Sequence, residues 1–150
     1  MSGKTFAHNY AIQVQAAVNN ECTCPPTNAL PIKEDVTVFR WTFNPLTNQS
    51  FVPQGVSSPT ILNKKSCEKK CAYFSLSFYK SELESRSAWK YIKKNVPNFH
   101  QIVGDAVAKG HLEAGDGLLT PVDKKGHVEL HEDVGNIPWQ QRFTIIGTLP

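Results

Sequence analysis

The densest group of ionisable side chains lies in the run His127-Val-Glu-Leu-His-Glu132, which alternates polar and apolar residues as a β-strand does. On a strand, His127, Glu129 and His131 project from one face, about 7 Å apart at successive steps. Imidazole and carboxylate groups suit a transition metal such as zinc, and a carboxylate between imidazoles can equally face a substrate. The exposed polar face of an edge strand gives the same pattern without any site. The run therefore predicts a strand, and it leaves these three interpretations open.

A second candidate group is the pair of hydroxyls at Ser75 and Ser77, inside the strand-like run Ala72–Tyr79. The two serines share one strand face, and aromatic and aliphatic side chains fill the other. No Gly-x-Ser-x-Gly motif surrounds either residue, which argues against a hydrolase nucleophile. The serines either bond locally or line a polar strip of a binding site.

Arg40 is the third candidate, on a strand predicted from the β-branched and aromatic residues of Val36–Phe43. We expect the aromatic face of this strand to lie in the core and Arg40 to lie on the opposite face. A guanidinium is an efficient partner for phosphate or carboxylate because its donors form a planar fork. Arg40 could equally pair with Glu129 as a structural bridge between strands.

Taken in chain order, these three motifs resemble the Arg-Ser-Glu arrangement of small ADP-ribosyltransferase-like domains. The resemblance covers roughly residues 36–132 and implies an NAD cofactor. Arg40 matches the arginine that holds a phosphate of NAD, and Ser75 and Ser77 match the serine strand of the nicotinamide-ribose pocket. Glu129 matches the glutamate that engages the ribose 2′-hydroxyl and stabilises the cationic transition state as nicotinamide leaves.

The chain departs from the family pattern at two positions. The family places Gln or Glu two residues before its catalytic glutamate, where this chain has His127, and Leu76 replaces the usual threonine between the serines. The candidate catalytic residues are therefore Glu129, with Glu132 as the fallback glutamate, and His127. The candidate cofactor-binding residues are Arg40, Ser75 and Ser77.

The four cysteines form two close pairs, Cys22/Cys24 and Cys67/Cys71. The N-terminus lacks the apolar segment of a signal peptide, so we expect a cytoplasmic protein in which disulfides are disfavoured. Plain thiols and a four-cysteine zinc site are the remaining interpretations, of which thiols are preferred.

Length and composition indicate an ordinary globular chain. It has 150 residues, a formal net charge of +3 and 40% hydrophobic residues, which predicts a single domain over residues 1–150. No apolar run is long enough to span a membrane.

Local patterns predict an α+β fold with a twisted, mainly antiparallel sheet and two adjacent helices. A capping box at Ser81 and Glu84 starts a helix that runs to about Lys94, and a second helix is predicted from Asn98 to a stop at Gly110. The predicted strands cover residues 10–16, 36–43, 72–79, 118–122, 127–132 and 142–148. Residues 44–70 are turn-rich and predict a long irregular segment over part of the sheet.

Two alternative functions come from the surface composition. A protein-interaction module of a multi-protein assembly is indicated by the aromatic residues near loops, with Trp139 expected to be an exposed anchor. A nucleic-acid binder would use a set of lysines in the loop and the first helix, and its affinity would fall steeply with salt. These lysines are Lys64, Lys65, Lys69, Lys70, Lys90, Lys93 and Lys94.

Overall fold

The computed structural model describes residues 5–150, which form an open, antiparallel seven-stranded sheet and six α-helices. The strands are β1 (Leu30–Pro31), β2 (Val36–Thr42), β3 (Leu76–Tyr79), β4 (Ala106–Leu112), β5 (Gly117–Leu119), β6 (His127–Glu132) and β7 (Thr144–Thr148). The helices are α1 (Ala11–Val18), α2 (Gln54–Ser57), α3 (Cys67–Ala72), α4 (Glu82–Asn95), α5 (His100–Val103) and α6 (Trp139–Arg142). The strand order is β1-β5-β6-β3-β2-β4-β7. The predicted α+β class with an antiparallel sheet is confirmed.

The sheet is covered on both faces, and β2 contributes to each. Val38 packs into the larger core with Phe78, Leu130 and Phe143. Phe39, on the other face, packs with Trp89 of α4 and their neighbours. Of the predicted aromatic face of β2, Phe39 is buried, but Trp41 is half-buried and Phe43 is 51% exposed. The face that carries Arg40 is covered as well.

Helix α4 begins where the sequence predicts. Ser81 is the N-cap, and its Oγ accepts the Glu84 amide at 3.1 Å. The same Oγ donates to Glu84 Oε1 at 2.9 Å, and a side-chain cap of this kind typically stabilises a helix by about 1 kcal/mol. The helix places Trp89 in the core.

The strand predicted at residues 10–16 is wrong, because this segment forms α1. Its alternation fits period two, but the buried residues are Val14 and Val18, one helical turn apart. Ile12, which the strand interpretation placed inside, is 84% exposed. Just before α1, His8 forms an isolated β-bridge with Asp133.

The helix predicted from Asn98 to Gly110 is also wrong over most of its length. Only one turn forms, α5, and it ends at Gly104 with φ +85°. A β-carbon on Gly104 would overlap the backbone of Thr42. The chain then enters β4, where Gly110 lies against the ring of Phe143 and is a strand residue.

The predicted free thiols are contradicted by two disulfides, Cys22–Cys67 and Cys24–Cys71. The bonds link the loop after α1 to α3, and the described chain has no free cysteine. The pairing joins each member of the first close pair to a member of the second, which spacing alone does not determine. No helix among residues 5–150 combines the length and apolarity needed to cross a bilayer.

Trp139 was expected to be an exposed anchor but is 7% exposed, at the start of α6. Its ring stacks on Phe51 at 5.5 Å between centroids, in the larger core. Phe51 ends a 3-10 turn over Asn48–Phe51. The turn-rich segment covers part of the sheet, as expected.

Candidate functional site

A cleft of about 610 Å³ opens beside the centre of the sheet. Its floor is formed by β2, β3 and β6, and its walls by the turn-rich segment, the end of α3 and the α4–α5 region. A volume of this size is in the usual range for small-molecule sites. Five predicted site residues from three segments of the chain line it: Arg40, Ser75, Ser77, His127 and Glu129.

Strand register explains how β3 and β6 share this floor. Ser77 pairs with Glu129, and Tyr79 pairs with His127. Because side chains alternate along a strand, these four project from one face, whereas Phe78 and its neighbours point into the larger core. The backbone of Glu129 is held by Thr120, whose Oγ1 accepts the Glu129 amide at 2.9 Å.

The cleft exists because β2 and β3 separate after a single paired position, Phe39 with Tyr79. Arg40 fills the gap between them. Its Nη1 donates to Ser77 O at 2.8 Å and its Nε to Ser50 O at 3.0 Å. The guanidinium therefore supplies a hydrogen bond between β2 and β3 where their backbones no longer pair, and it also holds the turn-rich segment through Ser50.

The environment of Arg40 differs from the predicted phosphate fork. The guanidinium carbon lies 5.8 Å from the ring centroid of Phe51 and 5.6 Å from that of Phe78. Burial lowers the pKa of Arg40 to about 10, opposed by the charge of Glu132, so the side chain stays cationic at neutral pH. Arg40 does not form the alternative bridge to Glu129, because its donors are directed at backbone carbonyls.

Glu129 and His127 are the half-buried ionisable groups of the floor. Burial raises the pKa of Glu129, with the charge of Asp123 as a second cause. Burial also lowers the pKa of His127, an effect that Asp123 opposes. A carboxyl and a neutral imidazole on one cleft floor are suited to stabilising a cation or moving a proton.

The two serines have different roles. Ser75 is buried and precedes the strand, and its Oγ donates to Ala72 O at 2.6 Å. This is the local hydrogen bond expected of a structural serine. Ser77 is exposed on the cleft floor, where its hydroxyl is accessible to a ligand.

Glu132, the fallback glutamate, is not part of the cleft. It projects with Leu130 to the opposite face of the sheet, where Asn9 Nδ2 donates to its Oε2 at 3.0 Å. Burial raises the pKa of Glu132 to about 7, and the nearby indole of Trp139 moderates this rise. Neither Glu132 Oε1 nor Trp139 Nε1 has a hydrogen bond of ordinary geometry to any described residue.

His131 lies outside the cleft, although it alternates in step with His127 and Glu129 along β6. It is fully buried and contacts His8, with His8 Nε2 and His131 Nδ1 separated by 3.2 Å. Burial lowers the pKa of both imidazoles to about 4, so the pair is neutral at neutral pH. Within the part of the chain that the structure describes, the three strand residues do not form a metal cluster.

Sequence reasoning missed the aromatic wall of the cleft. The rings of Trp41 and Tyr79 lie 5.2 Å apart, and those of Trp41 and Phe99 lie 5.5 Å apart. All three residues line the cleft, together with Tyr73 and the cationic Lys69. The aromatic residues of β2 were the available signal, but they were interpreted as core.

Comparisons with known proteins give no relative for this chain. No protein-family model matches it, and neither the curated proteins nor the solved structures contain a significant match.

Proposed function

We propose that the cleft binds NAD through its nicotinamide-ribose end and that the domain is an ADP-ribosyltransferase-like enzyme. The observation that supports this most directly is the convergence of Arg40, Ser75, Ser77, His127 and Glu129 on one cleft. These residues come from three segments of the chain, and four of the five that match the family motifs lie together. Glu132 is the exception and has no role in the proposed reaction.

The chemistry of NAD matches the lining of the cleft. Oxidised nicotinamide is a cationic aromatic ring, which stacks favourably on aromatic faces such as Trp41 and Tyr79. When the bond between nicotinamide and ribose breaks, nicotinamide leaves with the electron pair and positive charge develops on the ribose. The fixed carboxylate of Glu129 would stabilise that charge, and an acceptor nucleophile would then bond to the ribose carbon.

The role proposed for Arg40 follows from its hydrogen bonds. Because Arg40 holds the gap between β2 and β3, it acts first as a positioning residue for Ser77. Only its remaining N–H groups are available to a phosphate. Lys69 on the cleft wall is the second cation that we assign to the phosphates.

The proposal includes the compartment in which the protein would act. Two disulfides favour an oxidising compartment, rather than the cytoplasm expected from the N-terminal sequence.

The alternative of a protein-interaction module is weakened, because Trp139, its expected anchor, is buried.

Calorimetric titration of NAD, combined with an assay for released nicotinamide, tests the proposal. We expect saturable binding and slow release for the wild-type protein. Glu129→Gln should retain binding but lose release by roughly 10²- to 10³-fold, the usual scale for removing one charge-stabilising group. Ser77→Arg should block binding by filling the cleft, and Glu68→Gln, an exposed carboxylate on α3, is the matched control.

Two outcomes limit the proposal differently. Binding without nicotinamide release under any condition removes the transferase chemistry and leaves a binding domain. The absence of both heat and thermal stabilisation at millimolar NAD removes the site itself, because ligand at 100 times its dissociation constant adds about 2.7 kcal/mol of stability.

The rate of nicotinamide release should also increase as pH rises through the raised pKa of Glu129, because the ionised carboxylate is the active form.

A further inference from the structure

A second polar site lies where the loop after α1 meets β6 and α3. It consists of His131 and the Cys24–Cys71 disulfide. Cys71 is 1% exposed and His131 is fully buried. None of the three lines the cleft, so the site is separate from the proposed NAD site and does not depend on it.

The two ring nitrogens of His131 differ in their surroundings. Nδ1 lies 3.2 Å from His8 Nε2. Nε2 is buried and has no hydrogen-bond partner among residues 5–150. A buried polar atom without a partner loses its solvation and gains nothing in return, so such atoms are uncommon and often mark a missing ligand.

The three side chains converge closely. Cys24 Sγ, Cys71 Sγ and one ring nitrogen of His131 all lie within 4.8 Å of one another. Ligand atoms around a tetrahedral zinc ion are about 3.3 to 3.8 Å apart. Opening the disulfide would let the sulfurs separate to that spacing, with side-chain movements of about 1–2 Å.

We propose that Cys24, Cys71 and His131 form a reduction-dependent binding site for a thiophilic divalent cation such as Zn²⁺. Two thiolates and an imidazole are a usual donor set for zinc, with a water or other ligand in the fourth position. In the oxidised protein the sulfurs bond to each other and the site is closed. The site thus differs from a four-cysteine zinc site, because it uses one disulfide pair and a histidine from β6.

The redox step balances with a dithiol reductant. One reductant thiolate attacks a sulfur of the Cys24–Cys71 bond, and the other sulfur leaves as a thiolate. The second reductant thiol then displaces the mixed disulfide, so the reductant becomes a disulfide and the protein holds two thiols. Zn²⁺ binding releases the two thiol protons.

Coordination through Nε2 also changes the histidine pair. The Tyr10 amide donates to His8 Nδ1 at 3.0 Å, so in the neutral pair His8 carries its proton on Nε2 and donates it to His131 Nδ1. The His131 proton is then on Nε2. Metal at Nε2 moves that proton to Nδ1 and reverses the direction of the hydrogen bond to His8. His8 must then carry its proton on Nδ1, so the hydrogen bond from the Tyr10 amide is lost. The free energy of that one hydrogen bond is small beside the binding free energy of a thiolate–zinc site.

A groove in the surface beside Cys24 gives a reductant or a metal ion access to the proposed site. An open groove of about 560 Å³ is lined by residues that include Val14, Glu21, Cys22 and Cys24. Cys24 is half-buried, so a reductant or a hydrated ion reaches it from this groove. Cys22–Cys67, the neighbouring disulfide, belongs to no three-residue metal cluster among the described residues and is therefore the natural control.

The test is metal titration of protein reduced with a phosphine, which leaves no competing thiol in solution. Co²⁺ serves as the spectroscopic probe and Zn²⁺ as its competitor. The reduced wild-type protein and Cys22→Ser/Cys67→Ser should each bind one ion, with thiolate-to-metal absorption. Cys24→Ser/Cys71→Ser should lose this site, and His131→Asn should weaken it by roughly 10- to 100-fold or more. The oxidised protein should not bind.

Equal binding by the oxidised protein, or loss of binding in Cys22→Ser/Cys67→Ser but not in Cys24→Ser/Cys71→Ser, would overturn the proposal. Unchanged affinity in His131→Asn would do the same. Because a variant that fails to fold is uninformative, ¹¹³Cd NMR of the reduced wild-type protein is the second measurement. A shift for two thiolates with nitrogen, together with a metal-shifted His131 ring nitrogen, supports the site, and a four-thiolate shift contradicts it.

Discussion

Glu129 and Glu132 are three residues apart on β6, and the side of the sheet that each faces determines its chemistry. Glu129 lines the open cleft and meets solvent, so a ligand can reach it. Glu132 is 4% exposed, beside Asn9 and Trp139. Its raised pKa is a property of folding rather than of catalysis, because burial penalises the charged form.

The raised pKa of Glu132 predicts that this residue destabilises the folded protein as pH rises. The pKa of the carboxyl is about 7 in the folded protein, against an ordinary value of 4.5 that applies to the unfolded chain. Between these values the native state holds more protons than the unfolded state, so stability falls with increasing pH. The loss should be about 2.5 kcal/mol between roughly pH 5 and pH 8. Urea unfolding of wild-type protein and Glu132→Gln at the two pH values measures it.

The difference between the two proteins is the informative quantity. His8 and His131 have lowered pKa values and give the opposite slope at acid pH, since there the unfolded state holds more protons. That contribution is common to both proteins and largely cancels. Glu34→Gln, at an exposed position, should show no such difference. Parallel pH profiles for wild type and Glu132→Gln would contradict the assignment.

At the scale of elements, a predicted helix becomes a turn and a strand. The residues from Phe99 to Val107 have helical spacing, and the first turn does form as α5. Gly104 then adopts positive φ, and β4 pairs along its whole length with β2. Pairing with β2 and burial of Val107 outweigh the helical pattern, because tertiary packing exceeds intrinsic propensity.

This arrangement predicts how much a substitution at Gly110 should destabilise the folded protein. A β-carbon there would overlap the ring of Phe143, which lies in the larger core with Phe78. Gly110→Ala should therefore lower the free energy of unfolding by about 2–3 kcal/mol through overpacking. The interpretation of Gly110 as a helix stop predicts a much smaller effect. Chemical denaturation distinguishes the two.

Gly115→Ala is the matched control for this substitution. Gly115 has φ +92°, but a β-carbon there meets no atom within 4 Å. Its cost should be limited to backbone strain, about 1 kcal/mol. If Gly110→Ala is no more destabilising than Gly115→Ala, the packing of Phe143 on β4 is not what requires glycine.

At the scale of the whole molecule, the two disulfides join the N-terminal helix and loop to α3. The closed segments have sequence separations of 45 and 47 and nearly coincide. The end of α3 also lines the cleft through Ala72 and Tyr73. The bonds therefore connect the N-terminal part of the chain to one wall of the candidate site.

Because the two loops nearly coincide, the cost of removing the disulfides should depend on their order. After either disulfide is removed, the other still closes the long loop. What is lost is the small ring formed by the two disulfides and the short segments between their cysteines, and its loss should lower the free energy of unfolding by about 2–3 kcal/mol. Removing the second pair opens the long loop and should cost about 4 kcal/mol more. Urea unfolding in the presence of a chelator, with each paired Cys→Ser variant and the four-cysteine variant, measures these values. A four-cysteine variant as stable as either paired variant would contradict this prediction.

Much of the local structure could be predicted because its causes lie within a few neighbouring residues. β2 and β6 follow from alternation and β-branched or aromatic content, and α4 follows from the Ser81 cap and its apolar stripe. The hairpin before β6 follows from Asp123 and Gly126; Asp123 Oδ1 accepts two amides, and Gly126 has φ +77°. Period and capping act at short range, and distant segments did not override them here.

The sequence by itself determined the α+β class, the strands β2, β3, β6 and β7 in outline, and which side chains are available for chemistry. Only the tertiary structure decided how they are arranged. Cysteine pairing, the separation of β2 from β3 beyond Phe39 and Tyr79, and the faces of Glu129 and Glu132 all depend on register between distant segments. A shift of one residue moves a side chain to the other face of a sheet. The tertiary structure places Arg40 at a gap between strands and His131 beside a disulfide, although both residues were recognisable from the sequence.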